Sequence, residues 1–394
     1  MRVASDNPEV VRLVTLIADE VVGAGGYVHP ELVVNHEGGS LWLSLPREHN
    51  PHLTPRLDRP HPEAPPMLVV PGRLHIPVTN LAWVASDTEL AYTADTAHLT
   101  SGQQAILDAM VSLFNTIDKV RIVGRSYARH SIGEDPELSA LVAEARPGWL
   151  ESQQPAAAVG GAVAAEQGEQ AEQGEPESPA HSVMRSRLRS EMGEGDEGPL
   201  GYFMPMIDML NHHPYGSRYE HTDDGDWLIR VHHPTPTDQV FVRYNKADSF
   251  GVALGLGYFE ADTRFVSSVA CRVGIPDVVE VKVAGVGAAR RRLPAPRVSR
   301  SDDGLVVRGL VLELPRRDAL TQLLAMPLRS LHPDRPAAVV ESWAQQLIAG
   351  VVAANRDFFT RLEVLCAQDA DEFGLRPIFG RVARRQLELL AEWD

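Results

Sequence analysis

Three segments of the chain carry apolar residues at the spacing of an α-helix: 5–24, 101–118 and 338–366. In the third segment the apolar positions form one continuous stripe, which predicts the core of a helical bundle. That stripe consists of Trp343, Leu347, Val351, Ala354, Phe358, Leu362 and Leu365.

Shorter runs of β-branched and aromatic residues, split by Gly and Pro, predict small antiparallel strands in the regions 25–80 and 202–260. Two more strand candidates lie in 263–289. After the stretch "LPAPRVSRSDDG" the pattern is interpreted as helical. Helices and separate groups of small strands together predict an α+β fold.

Residues 151–182 have a different composition, with no aromatic residue, Leu or Ile. Such a segment cannot bury enough apolar surface to offset the entropy lost on ordering. It predicts a flexible insertion. A second polar, Gly-rich stretch follows at 190–201, and the short run "VMRSRLR" lies between the two.

The overall composition narrows the class of protein. The 394 residues are 44% hydrophobic and 23% charged, which is ordinary for two or three globular domains. A net charge of -16 argues against a nucleic-acid partner, which would require a basic face. Two cysteines cannot build a disulfide framework or a Cys-rich zinc cluster. With no apolar signal region and no run near ~18 apolar residues, a cytoplasmic protein without a membrane partner is expected.

The stretch "PMIDMLNHHPYGSRYE" at 205–220 gathers two acids, an Asn, two His and two Tyr. A metal site, a His-based catalytic base and a turn that holds a polar cofactor are the three interpretations. Adjacent His side chains on a strand point to opposite faces, and no H-E-x-x-H or C-x-x-C accompanies them, so no metal is expected. The motifs of triad hydrolases, P-loops and dinucleotide-binding folds are also missing from the sequence.

This stretch resembles the carboxy-terminal half of a SET domain, in the class of the Rubisco large-subunit lysine methyltransferase and the actin histidine methyltransferase. Pro205, Asp208, Asn211 and His212 match the P-x-x-D-x-x-N-H pattern of a proline-initiated strand. Residues 239–244 match the later strand that ends in a Tyr. Residues 256–258 match the aromatic-Gly-Phe turn.

Two earlier motifs agree with the resemblance. "NHEGGSLWLSLP" is similar to the opening E-G-x-G-L motif, and "VMRSRLR" is similar to the R-S-R element. The resemblance covers roughly 25–290, and the helical end is similar in character to the class's substrate-binding domain. The chain departs from the class at Ser40, at Asn245 and at Leu256, which stands where an aromatic residue of the lysine channel is common.

The resemblance implies a cofactor, S-adenosyl-L-methionine (AdoMet), and roles for ten residues. Tyr244 is the implied catalytic residue, and Tyr219 and Leu256 are implied to contact the substrate. The implied cofactor-binding residues are Glu37, Gly38, Ser186, Arg187, Asp208, Asn211 and His212. Two structural alternatives stay open: Asn211 as a turn-forming residue and Tyr244 as a core aromatic.

The expected fold is therefore a SET-type arrangement of small sheets with a helical and flexible insertion and a mostly helical C-terminal domain. The predicted divisions are an N-terminal helix (1–24), a SET domain (25–262, with an insertion at about 88–200) and a substrate- or partner-binding domain (263–394). The favoured function is AdoMet-dependent N-methylation of a protein or peptide side chain, with lysine as the favoured acceptor. The alternatives are an enzyme acting on a small metabolite and a catalytically weak SET-like binding module.

Overall fold

The structure is a computed structural model that describes most of the chain. The described residues are 1–49, 64–77, 81–94, 98–124, 132–149, 180, 183, 189–192, 199–275, 280–286, 293, 295–301, 304–313, 317–367 and 375–393. They form two compact units. The first comprises Met1–His130 and Pro155–Tyr244, and the second comprises Ser131–Gln154 and Asn245–Asp394.

Two helices and many short strands build the first unit. Helix α1 (Pro8–Gly23) begins where the Asn7 side chain accepts hydrogen bonds from two backbone N–H groups, and Pro8 has no N–H to leave unpaired. Helix α2 (Ser101–Thr116) begins with a capping box between Thr100 and Gln103. The apolar faces of both helices are buried in one hydrophobic core, as their spacing predicts.

The strands of the first unit are short and form five small sheets. They are β1 (Arg2–Ala4), β2 (Tyr27–Val28), β3 (Val33–Glu37), β4 (Ser40–Ser44), β5 (Pro66–Val70), β6 (Ile76–Pro77), β7 (Leu81–Trp83), β8 (Tyr92–Ala94), β9 (Arg189–Met192), β10 (Pro199–Phe203), β11 (Asn211–Ser217), β12 (Glu220–His221), β13 (Trp227–Arg230) and β14 (Phe241–Val242). The sheet orders are β1-β3-β4, β12-β13-β5-β2, β6-β10-β9, β7-β8 and β11-β14. Pairs β1–β3 and β11–β14 are parallel, and the other pairs among these strands are antiparallel.

Strand β4 connects the segments that matter for the predicted site. On one edge it pairs with β3. On the other, Ser44 bridges to Gln239 and the Val240 N–H donates to the Leu43 carbonyl at 3.0 Å. Strand β4 also contacts the short 3₁₀ turn Ile207–Met209 that leads into β11. Three stretches that are distant in the sequence therefore meet around one strand.

The second unit is built around helices, with two small sheets. Its helices are α3 (Pro136–Ala145), α4 (Ser249–Leu256), α5 (Arg317–Leu331), α6 (Ala337–Cys366) and α7 (Leu375–Ala391). Its strands are β15 (Phe265–Ser267), β16 (Cys271–Gly274), β17 (Glu280–Val283), β18 (Arg297–Ser301), β19 (Gly304–Arg308) and β20 (Val311–Glu313). The sheet orders are β15-β20 and β16-β17-β19-β18. Phe250 of α4 packs edge-on against Phe358, Phe359 and Phe379.

Helix α6 follows its predicted stripe. Trp343, Leu347, Val351, Phe358 and Leu362 are buried, whereas Ala354 and Leu365 are half-buried. Among the described residues α6 is the one helix long and apolar enough to cross a membrane by length and composition, a test that core helices of soluble proteins also pass. Its stripe packs against α3, α5 and α7, which makes α6 the centre of the second unit.

The α+β class is confirmed, but several predicted boundaries change. Residues 1–24 contain strand β1 as well as a helix. The predicted helical character after residue 304 is wrong at its start, because β-branched Val306 and Val307 lie in a paired strand and helix α5 begins at Arg317. The second compact unit comprises 131–154 together with 245–394, so it includes residues that the prediction assigned to the SET domain and its insertion. Of the predicted flexible segment 151–182, all but Ala180 lies outside the described residues.

Candidate functional site

A strained turn precedes strand β11. Met206 is buried and has a φ of 63°, in the left-handed region that residues with side chains rarely adopt. The chain then forms the 3₁₀ turn, in which the Leu210 N–H donates to the Ile207 carbonyl at 3.0 Å. The prediction of a strand that starts at Pro205 is therefore wrong, because these turn bonds occupy the backbone and the strand begins at Asn211. Backbone strain of this kind is often kept at functional sites.

Tyr244 is attached to the start of β11 at two points. Its backbone N–H donates to Nδ1 of His212 at 3.0 Å, and its hydroxyl donates to the Leu210 carbonyl at 2.5 Å. The rings of His212 and Tyr244 lie 5.1 Å apart with planes inclined by 30°. The parallel pairing of Asn211 with Phe241 sets up this arrangement. Three predicted site residues, Asn211, His212 and Tyr244, thus lie in one small group.

His212 is buried and uncharged. Burial lowers the pKa of its imidazole to about 3, and the neighbouring His213 and Arg243 act in the same direction. The Val242 carbonyl opposes them, with a smaller effect. At neutral pH the ring is therefore a neutral hydrogen-bonding group.

The other two polar residues of the segment differ in exposure. Asn211 is exposed, and its amide makes no hydrogen bond to a residue that the structure describes. Asp208 lies in the 3₁₀ turn and is buried. A primary amide at a strand start offers both a donor and an acceptor, which suits an adenine edge or a carboxylate. Among these predicted cofactor residues Asn211 is the one that a ligand can reach directly.

Glu37 and Gly38 lie at the tip of the β3–β4 hairpin. Glu37 pairs with Ser40, so the loop consists of Gly38 and Gly39, with φ of 53° and 79°. Two positive φ values define a type I′ turn, for which glycine is strongly preferred. A Cβ on Gly39 would also lie 2.8 Å from the Ile117 carbonyl, whereas the space beside Gly38 is open. The turn therefore explains both glycines, and the open space beside Gly38 leaves room for a ligand.

Gly216 lets β11 pass close to the chain before Tyr244. A Cβ there would lie 2.7 Å from the carbonyl carbon of Val242. Beyond this contact the Arg243 N–H donates to the Ser217 carbonyl at 2.8 Å. Strand β11 thus contacts the 241–244 segment on both sides of an irregularity in the pairing.

The remaining predicted site residues lie elsewhere or are not described. Tyr219 is half-buried and packs edge-on against Trp227, with ring centres 5.6 Å apart. Leu256 belongs to the second unit, at the end of α4, where Gly257 adopts the left-handed conformation that ends the helix. Ser186 and Arg187 lie outside the described residues.

The histidines of this region each have a separate partner. Nδ1 of His213 accepts from the Tyr215 N–H at 3.1 Å. His232 and His233 donate through Nε2 to the carbonyls of Tyr215 and Leu45, both at 2.8 Å. Over the described stretches of the chain, no group of three or more His, Cys, Asp or Glu side chains could hold a metal ion.

Two functional features of this group were missed in the sequence. The Leu210 carbonyl takes part through its backbone, which no side-chain pattern reveals. Gly216 contributes because its missing side chain lets β11 approach Val242 closely. An isolated Gly inside a strand pattern is the sequence signal that could have indicated this close approach.

Two open grooves lie in the second unit. One of ≈ 390 Å³ is lined by Arg317, Arg356, Trp393 and residues of α6, and one of ≈ 540 Å³ by residues of the 326–333 region. Neither lining contains a predicted site residue. The chemistry expected from the sequence therefore depends on the Tyr244 group and not on these grooves.

No protein-family model matches the chain, and no curated protein matches it significantly. The resemblance to the SET class consequently depends on the sequence motifs alone.

Proposed function

We propose that the protein is a SET-type, AdoMet-dependent N-methyltransferase that acts on a protein or peptide side chain, with lysine as the favoured acceptor. The observation that carries the proposal is the double attachment of Tyr244 to the segment that contains Asn211 and His212. A tyrosine that only filled a core would not need both bonds to the start of strand β11. The contact of β4 with the same turn supports the proposal, because it brings the Glu37–Gly38 hairpin into the same region.

The residues fit the proposed cofactor. Asn211 offers an exposed amide, Gly38 an open space beside a backbone turn, and Glu37 an exposed carboxylate at the same tip. In this proposal Asn211, Glu37 and Gly38 hold AdoMet, and Ser186, Arg187 and Asp208 frame its pocket. When bound, AdoMet supplies a methyl group on a positively charged sulfur, which an uncharged amine can displace in line.

Tyr244 has the properties needed to orient the amine. Its hydroxyl proton is engaged by the Leu210 carbonyl, so the oxygen keeps its lone pairs for an N–H of the acceptor. An amine held through its N–H is oriented with its own lone pair toward the methyl group, and positioning contributes most of the gain in such displacements. The phenol oxygen also lowers the energy of positive charge nearby.

The first test is binding of AdoMet by calorimetry. Asn211→Ala should weaken the affinity roughly fivefold to a hundredfold, the usual cost of a lost polar partner. Asn115→Ala is the matched control, because the Asn115 amide bonds the backbone of Leu90 in the same unit at 2.7 and 2.9 Å. Unchanged affinity in folded Asn211→Ala, or no AdoMet binding by the wild type, would contradict the proposal.

The second test separates catalysis from binding. Tyr244→Phe keeps the ring and removes the hydroxyl, so single-turnover methyl transfer to a peptide array should fall about 10²–10³-fold while AdoMet affinity stays near wild type. Tyr92→Phe is the control, because that hydroxyl bonds Asp108 elsewhere in the unit at 2.6 Å. A wild-type rate in Tyr244→Phe would make Tyr244 a packing residue.

A small metabolite is the second candidate acceptor. The observation that favours it is Leu256, an aliphatic residue where the SET class commonly has an aromatic one. Labelling of small amines without labelling of any peptide would favour this acceptor. A protein that binds no AdoMet would instead be a SET-like binding module.

A further inference from the structure

We propose that His212 is a positioning residue for Tyr244: its neutral imidazole holds the Tyr244 backbone N–H and thereby fixes the hydroxyl on the Leu210 carbonyl. The proposal gives His212 a side-chain role that differs from cofactor contact. Its catalytic consequence rests on the proposed function, whereas its structural part does not.

The geometry leaves Tyr244 little freedom. The backbone nitrogen of Tyr244 lies 3.0 Å from Nδ1 of His212. The hydroxyl oxygen at the far end of its side chain lies 2.5 Å from the Leu210 carbonyl oxygen. Both partners belong to the same three-residue stretch at the start of β11. Tyr244 is therefore held to the segment 210–212 at both its backbone and the end of its side chain. If the backbone bond is removed, the main chain of Tyr244 loses a direct tie to β11, and the hydroxyl can move with it.

The chemistry of the imidazole fits an acceptor. A backbone N–H can only donate, so Nδ1 must be the unprotonated nitrogen and the neutral ring carries its proton on Nε2. His212 is buried, and Arg243 and His213 nearby disfavour a second proton. The acceptor is therefore present across the ordinary pH range.

Strand geometry separates the roles of Asn211 and His212. Successive side chains of a strand point to opposite faces. Asn211 is exposed, whereas His212 is buried against Tyr244. The side-chain amide of Asn211 is then available to a ligand, and the imidazole of His212 bonds to the protein interior.

Three substitutions test the role of His212. His212→Leu removes the acceptor, and His212→Asn replaces it, because Oδ1 of Asn is the same number of bonds from the main chain as Nδ1. Leu and Asn have similar size, so the pair differs chiefly in the polar amide, which restores an acceptor. His213→Leu is the control: it removes a neighbouring buried imidazole that accepts from the Tyr215 N–H instead.

Amide exchange in protein labelled with ¹⁵N-tyrosine reports both bonds in one spectrum. Loss of a signal in Tyr244→Phe or Tyr215→Phe assigns each amide. We expect the Tyr244 amide to exchange roughly tenfold faster in His212→Leu, to stay near the wild-type rate in His212→Asn, and to be unaffected in His213→Leu. Faster exchange of Tyr215 in His213→Leu shows that the measurement detects such a bond.

The outcomes distinguish this inference from the proposed function. Unchanged Tyr244 exchange in folded His212→Leu overturns the positioning role, even if AdoMet binds. If His212→Leu does not fold, His212→Asn decides: wild-type protection supports the role, and a tenfold loss overturns it. If the wild type binds no AdoMet while Tyr244 exchange depends on His212, the proposed function fails and the positioning role stands. With AdoMet bound, His212→Leu should lower the transfer rate much more than the affinity, and His212→Asn should restore the rate.

Discussion

The two units differ in which buried groups have a shifted pKa. In the first unit, which also buries Asp208 and Arg243, the shifted groups are imidazoles: burial lowers the pKa of His212 to about 3, of His75 to about 4, and of His233 below its ordinary value. The second buries a guanidinium and carboxyls. Arg146 donates to the carbonyls of Ser267 and Ser268 at 3.2 and 2.9 Å, and burial lowers its pKa to about 10.

The carboxyls of the second unit respond to burial in the opposite direction from the histidines. Burial raises the pKa of Asp248, while Arg146 and two backbone N–H groups, those of Gly251 and Ser267, oppose the rise. Burial also raises the pKa of Glu260 to about 7. A buried histidine resists gaining a proton, and a buried carboxyl resists losing one.

This difference predicts opposite responses of the two units to pH. A histidine whose folded pKa is depressed contributes stability above its ordinary pKa near 6.5, and that stability is lost as the pH falls below 6.5. A carboxyl whose folded pKa is raised makes the folded state take up more protons, so stability is lost as the pH rises from about 4.5 through 7. Acid should therefore weaken the first unit, and neutral to alkaline pH the second.

The largest expected effect comes from removing the buried guanidinium. Arg146→Leu leaves the carbonyls of Ser267 and Ser268 without this donor and removes the nearby positive charge that favours the Asp248 carboxylate, and should destabilise the second unit by about 3–5 kcal/mol. Arg361→Leu is the matched control, because its pair with Glu144 is exposed and worth at most about 1 kcal/mol.

The measurement is thermal melting combined with peptide-resolved hydrogen exchange. Peptides of α6 and α7 should lose protection in Arg146→Leu, and peptides of α1 and α2 should not. Equal effects of the two Arg substitutions would contradict the distinction between the buried and the exposed pair.

The next effect is the pH dependence itself. Each proton taken up by one state alone changes the free energy of unfolding by about 1.4 kcal/mol per pH unit. Between pH 5 and 7 the second unit should lose stability through Glu260, and the first should gain it through its histidines. Peptide-resolved hydrogen exchange at several pH values, corrected for the pH dependence of the intrinsic exchange rates, measures how the stability of each unit changes with pH.

Glu260→Gln sharpens that test. The amide cannot titrate, so the free energy of unfolding of the second unit should no longer depend on pH in this range. The pH dependence of the first unit should be unchanged. A slope that persists in Glu260→Gln would assign it to another group.

The smallest effect compares two helix caps. Thr100 caps α2 through one bond to the Gln103 N–H, and Thr100→Ala should cost about 1 kcal/mol. Asp135 caps α3 and also pairs with Arg376 at 2.6 Å, where both side chains are mostly buried. Asp135→Ala should cost about 2 kcal/mol, because it removes both interactions. Equal losses of protection in the two helices would show that the pair with Arg376 contributes nothing.

The sequence predicted long periodic elements better than short ones. Helix α6 was predicted to within a residue, because its stripe repeats over eight turns. The strands β18 to β20 were missed because runs of three to five residues give little periodic signal and are decided by pairing. At the candidate site the motifs indicated Asn211, His212 and Tyr244, which the fold brings together, whereas Leu256 belongs to the second unit.

What the sequence alone determined about this protein is local: where apolar stripes form helices, which residues cap them, and why Gly38 and Gly39 make a tight hairpin. These depend on neighbours within a few positions, so composition and spacing contain them. The attachment of Tyr244 to Leu210 and His212, the close approach that Gly216 permits, and the burial that lowers the pKa of His212 and raises that of Glu260 depend on residues about ten to thirty positions away or more. Only the tertiary structure decided them, because burial and backbone hydrogen bonds between distant segments arise when the chain packs.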